Sequence, residues 1–120
     1  MTFSVEVVLK GRDFAVTESV SLPHGEPSTW DDVAVRAMLV ETLRALDRVQ
    51  NPDTWQHRSV LLQGFSWIVE PAEGGVILAI EIPAGAVVAG PFAIDQVELD
   101  AMIGRVLRAE RASIQRTTVH

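Results

Sequence analysis

The stretch EIPAGAVVAGPFAID, Glu81 to Asp95, carries no charge between its two ends. Its reading decides the fold, because a phosphate-binding loop and a strand-to-helix connection belong to different architectures. Gly85 and Gly90 have the G-x-x-x-x-G spacing of a loop that cradles phosphate. Such a loop continues with Lys, which reaches the phosphates, and then Ser or Thr, which binds magnesium. Here Pro91 and Phe92 follow, so both residues that would carry the chemistry are missing and nucleotide binding is not expected. Read as structure, Glu81 and Ile82 end a strand, Pro83 to Gly85 turn the chain, and Ala86 to Ala89 add a short extended piece. Gly90-Pro91 then leads into a helix. A free loop of this composition would expose much apolar surface. The segment is therefore expected to be covered, by the rest of the fold or by a second chain, with Pro91 and Phe92 at a partner interface.

Working outward, VLLQGFSWIVE (Val60 to Glu70) and VILAIEI (Val76 to Ile82) read as strands joined by the turn-rich Pro71-Ala72-Glu73-Gly74-Gly75. Simple hairpin pairing places Leu61, Phe65, Trp67, Val69, Ile77 and Ala79 on one face. Val60, Leu62, Ile68, Val76, Leu78, Ile80 and Ile82 fall on the other. Strands apolar on both faces are usually covered on both, so this hairpin calls for an outer cover.

At the other end of the chain, Phe3, Val5, Val7 and Leu9 alternate with Thr2, Ser4, Glu6 and Lys10, the period of a strand with one buried face. Gly11-Arg12 supplies a two-residue turn. The return strand, Asp13 to Leu22, would set Lys10 against Asp13, Leu9 against Phe14, Val7 against Val16 and Val5 against Glu18. Leu9 with Phe14 and Val7 with Val16 would be core pairs. Glu18 then lands on the apolar face, as a bulge position or as an inward carboxylate with a purpose.

Two helices complete the pattern. The first is expected from Trp30 to Gln50, capped by Ser28 or Thr29 and stopped by Asn51-Pro52, with Ala34, Val35, Met38, Leu39, Ala45, Leu46 and Val49 on its core face. The second should begin at an Asp95 cap and run to about Ser113, burying Leu99, Met102, Ile103, Val106, Leu107 and Ile114, with a frayed tail over 114–120. The chain reads as a single domain of two ββα halves, Met1 to Gln50 and Arg58 to Ser113, without a residue-level repeat. The expected architecture is α+β, a two-layer ββαββα sandwich with a four-stranded, mostly antiparallel sheet and two helices on one face.

Composition narrows the function. The chain has 120 residues, 48% of them hydrophobic, with a formal net charge of −6 and no cysteine. That is enough chain for a real core, and too acidic for a surface that binds nucleic-acid phosphates. Absence of cysteine removes thiol nucleophiles, disulfides and cysteine-based zinc sites. With no long apolar segment and no secretory pattern at Met1, the expectation is a cytoplasmic protein without a membrane partner.

Catalytic signatures are sparse. His24 and Glu26 are the closest potential metal ligands, without a recognisable metal-site spacing, so no metal and no cofactor are expected. Glu18 and Glu81 are carboxylates in strands, and with Trp67 they are the candidates for a small-molecule pocket between sheet and helices. The more specific signals are surfaces. Val33, Ala37 and Val40 form a narrow apolar stripe among the charges of the first helix. Val97, Ala101 and Gly104 line the second helix opposite its core face. The favoured expectation is a small non-enzymatic binding or assembly module, acting as a homodimer or as an accessory subunit. Alternatives are a small-molecule-binding domain or small enzyme using an inward carboxylate, and a phage-type structural or tail-assembly component.

Overall fold

The computed structural model describes the backbone of residues 1–118 and side chains as far as Ser113. Strands β1 (Thr2–Leu9) and β2 (Val16–Ser21) lead through a short 3-10 turn to helix α1 (Asp32–Gln50). After a second 3-10 turn come β3 (Ser66–Ala72), β4 (Gly75–Ile82), β5 (Gly85–Phe92) and helix α2 (Gln96–Thr118). The five strands form one antiparallel sheet in the order β2-β1-β5-β4-β3. The α+β class and the two helices agree with the sequence reading, but the sheet has five strands rather than four. Among the described residues no helix is long and apolar enough to cross a membrane.

The fifth strand is the stretch GAVVAGPF. What reads as a connection is the central strand, paired on one side with β4 and on the other with β1. Pro83 and Ala84 turn the chain back on itself, so Ile82 pairs with Gly85. Gly85 is required at this junction, because a Cβ there would lie 2.3 Å from the carbonyl oxygen of Val8. Val87 and Ala89 face the helices and are fully buried, which accounts for the apolar run.

Turn length explains the other departures. The β3–β4 turn is the two residues Glu73 and Gly74, with Ala72 opposite Gly75, not a five-residue loop. This puts Trp67 opposite Ile80, Val69 opposite Leu78 and Pro71 opposite Val76 on the inner face. Ile68 opposite Ala79 and Glu70 opposite Ile77 fall outside. The expected grouping of Trp67 and Val69 with Ile77 and Ala79 is thereby corrected, since a one-residue change of register exchanges the faces. The first hairpin keeps its expected pairs Val7 with Val16 and Val5 with Glu18. Strand β1 stops at Leu9, however, so Lys10 with Asp13 and Leu9 with Phe14 do not pair. Leu9 instead meets Gly85 of β5, the Lys10 N–H donates to Ala84, and Phe14 is 59% exposed.

Helix α1 starts two residues later than expected and is capped by Asp31, whose side chain accepts from the Ala34 N–H at 2.9 Å. Asp95 caps α2 as expected, accepting from the Glu98 N–H. That helix continues past Ser113 to Thr118. The side chain of Ile114 and the last two residues of the expected tail lie outside the described residues.

Both helices cover one face of the sheet. In β1 the odd residues Phe3, Val5, Val7 and Leu9 are buried and the even ones exposed. Phe92, at the end of β5 and fully buried, packs edge-on against Phe3 with ring centroids 5.1 Å apart. It also meets Trp30 at 5.3 Å. The Trp30 indole N–H is satisfied by the Gly25 carbonyl. Phe92 is thus a core residue, correcting its expected place at a partner surface, while neighbouring Pro91 is exposed.

Candidate interaction face

Glu18 lies on the helix side of edge strand β2, as its pairing with Val5 requires. It is not a free carboxylate in a pocket, because Arg48 of α1 donates to it at 2.9 Å. The Arg48 guanidinium also sits 5.2 Å from the centre of the Trp55 ring. Glu81 lies on the opposite face, between Ser66 and Ala86. Trp67 is half-buried on the inner face. The three pocket candidates are therefore not brought together between sheet and helices, where the space is filled by core side chains.

The helical candidates are also divided. Two ion pairs join the helices, Asp32 with Arg105 and Arg36 with Glu110. Because both numbers rise together, the helices run parallel. That alignment sets Val97 and Ala101 axially ahead of Val33, Ala37 and Val40, so the two sets do not make one continuous stripe. Ala37 and Val40 pack partly on the core. Val33 and Val97 are 69% and 75% exposed, and Ala101 is exposed. At Gly104 an added Cβ would meet only the Arg108 side chain, not another backbone.

A cleft of about 310 Å³ lies beside the C-terminal half of α1, bordered by Leu43, Leu46, Val60, Phe65 and Ile82. Its charged lining residues satisfy each other: Arg58 donates to Asp47 at 2.9 Å, and Asn51 donates to the same oxygen. His24 stands in the loop after β2, where its backbone carbonyl accepts from the Met1 amine. Among the described residues no three His, Asp or Glu side chains gather to hold a metal ion.

The outer face of the second hairpin, for which the sequence called for a cover, is part of a larger surface, the outer face of the whole sheet. Strand pairing sets Glu6, Val88, Ala79 and Ile68 in one row across β1, β5, β4 and β3, and Val8, Ala86, Glu81 and Ser66 in the next. Ile77 and Glu70 follow below. Val8 is 42% and Ile68 52% exposed, and no described element covers this face. Between Ile68 and Val88 the small side chains Ala79 and Ala86 leave a shallow depression of about 220 Å³, with Glu81 and Ser66 at its end. The double-sided apolar pattern of VILAIEI was the available signal, and among the described residues no element supplies the outer cover it called for.

Electrostatics differ between the two sides of the molecule. On the helix side Glu18, Asp32, Glu41, Asp47 and Glu110 each form an ion pair with arginine. Two hydrogen bonds from Arg105, at 2.9 and 3.0 Å, hold the Asp32 carboxyl below its ordinary value. On the sheet side the exposed Glu6, Glu70 and Glu81 are in none of these ion pairs. Lys10, just past the end of β1, is the nearby cation at that end of the face. No family model, no curated protein and no solved structure matches the chain.

Proposed function

We propose that this protein is a non-enzymatic binding or assembly module that docks onto a protein partner through the open face of its sheet. The observation that carries this reading is the uncovered apolar strip of Val8, Ile68, Ile77, Ala79, Ala86 and Val88. An antiparallel sheet can face water on one side when that side is polar. Here the β2 edge obeys that rule with Thr17, Ser19 and Ser21, while the β5–β4–β3 half does not. Contiguous apolar surface retained in this way marks interaction sites.

The dimensions suit such a role. Five strands spaced ~4.8 Å apart and ~8 residues long at ~3.3 Å per residue give a face of roughly 600 Å². A standard interface buries about 800 Å² per partner. The catalytic alternative has less support, since Glu18 is spent on Arg48 and Glu81 lies across the sheet from it. The phage-type alternative drew on the apolar PAGAVVAGPF segment, whose composition is accounted for by its place as the central strand.

The test is photo-crosslinking in the protein's native cells. A benzoylphenylalanine at Ile68 or Val8 should give a discrete protein adduct, and the same probe at Ala101 on α2 should not. Adducts confined to Ala101, or none from either sheet position, would refute docking through this face.

A further inference from the structure

Resting on the reading of the open sheet face as a docking surface, we infer that its occupant is an amphipathic helix of a partner protein whose apolar stripe is flanked by Lys and Arg, not a second copy of this chain. The shape comes first. The apolar strip crosses β1, β5, β4 and β3, three inter-strand steps of ~4.8 Å, and is two to three side-chain rows deep at ~6.6 Å per row. A strip roughly 15–20 Å long and 10–15 Å wide matches three to four turns of helix, whose diameter with side chains is ~10 Å. The depression between Ile68 and Val88, floored by Ala79 and Ala86, has room for one large apolar side chain from that helix.

Charge selects the partner. Glu6, Glu70 and Glu81 surround the strip, on β1, β3 and β4. Strand spacing sets them roughly 12–16 Å apart. Their neighbours in the sheet are Val88 and Thr17, Ile77, and Ser66 and Ala86, none of which neutralises a carboxylate. The helix side shows the contrast, because there Glu18, Asp32, Asp47 and Glu110 are matched by arginines of the same chain. The apolar strip alone is smaller than a standard interface half, so any stable partner must also cover these three glutamates. A second copy would bring three more carboxylates, opposed by little beyond Lys10, and like charges face to face disfavour that pairing. A helix with Lys or Arg one turn from its apolar anchors would set a cation beside Glu81 when the anchor sits in the depression.

The experiment uses the full chain and two synthetic 14-residue helical peptides of identical leucine stripe, one flanked by Lys and Arg and one by Glu. Binding is followed by fluorescence anisotropy at several salt concentrations. The basic peptide should bind at least tenfold more tightly than the acidic one, and its affinity should fall with salt. The triple variant E6Q/E70Q/E81Q should lose at least tenfold for the basic peptide. A control with the same charge change on exposed positions elsewhere, E26Q/D53N/D100N, should stay within twofold. I68K, checked for folding by thermal melting, should abolish binding. Equal affinity for both peptides, with I68K still abolishing it, would overturn the basic partner while leaving the docking face intact. So would a stable dimer in sedimentation that I68K dissociates. Equal losses in the triple variant and its control would reduce the effect to net charge and overturn the inference. Basic-peptide binding that I68K leaves unchanged would sink the docking face itself.

Discussion

Replacing Phe92 by alanine removes the ring that joins β5 to both the N-terminal strand and the segment entering α1. Phe92 is fully buried, with Phe3 at 5.1 Å and Trp30 at 5.3 Å between ring centroids. Truncating a buried phenylalanine to alanine costs about 3–5 kcal/mol through lost transfer energy and the cavity left behind. Each aromatic contact contributes about 0.5–1.5 kcal/mol within that figure. A chain of 120 residues has a total stability of roughly 6–18 kcal/mol. F92A should therefore fold but lose a large fraction of its margin. Urea unfolding followed by far-UV circular dichroism should show the midpoint falling by about 2 M at a slope near 2 kcal/mol/M. Tryptophan emission should also change in the folded state, because Trp30 loses a neighbour. F92L, which keeps most of the volume but loses both ring contacts, should lose about 1–3 kcal/mol. V97A, at a position 75% exposed, should move stability by no more than about 0.5 kcal/mol. A loss below about 1 kcal/mol for F92A, at unchanged slope, would refute the buried central strand and return Phe92 to the surface.

Two further outcomes are expected. G75A should destabilise the β3–β4 hairpin by about 1–3 kcal/mol in the same urea assay, since Gly75 holds a φ of +140° and an added Cβ would lie 1.9 Å from the Phe92 carbonyl oxygen; wild-type stability in this variant would show that the hairpin is joined differently. The Asp32 carboxyl should titrate below 3.8 by NMR and return toward 3.8 in R105Q, because the Arg105 hydrogen bonds favour its charged form. With the folded value lowered, this pair's contribution to stability is present above about pH 3.8 and is lost as pH falls through the folded value; an Asp32 titration unaffected by R105Q would contradict the pairing.

Local patterns carried a large share of the fold. Period-two alternation located β1, and the Val7–Val16 and Val5–Glu18 pairs followed from a short turn. Helical periodicity identified the buried positions Ala34, Val35, Met38, Leu39, Ala45 and Leu46. Capping chemistry placed Asp95, and an aspartate rather than Ser28 or Thr29 closed α1. These features depend on residues within a few positions of one another, where spacing is nearly geometry.

The readings that failed depended on which register won. Pro71 to Gly75 is rich enough in turn residues to support a loop of five or of two, and the choice exchanges the faces of β3. GAVVAGPF has the glycine and proline content of a connection, yet it extends because β1 and β4 supply hydrogen-bond partners on both sides. Glu18 was legible as inward-facing, but its partner Arg48 lies 30 residues away.

The sequence by itself determined the α+β class, the two helices with their buried faces, the β1–β2 pairing and a surplus of apolar residues in the second half of the chain. Only the tertiary structure decided that β5 sits at the centre beside β1, and that the surplus emerges as a strip ringed by Glu6, Glu70 and Glu81. Strand order joins residues about eighty positions apart, such as Val5 and Ala89. No local spacing encodes that pairing; it follows from burying all the inner-face side chains at once.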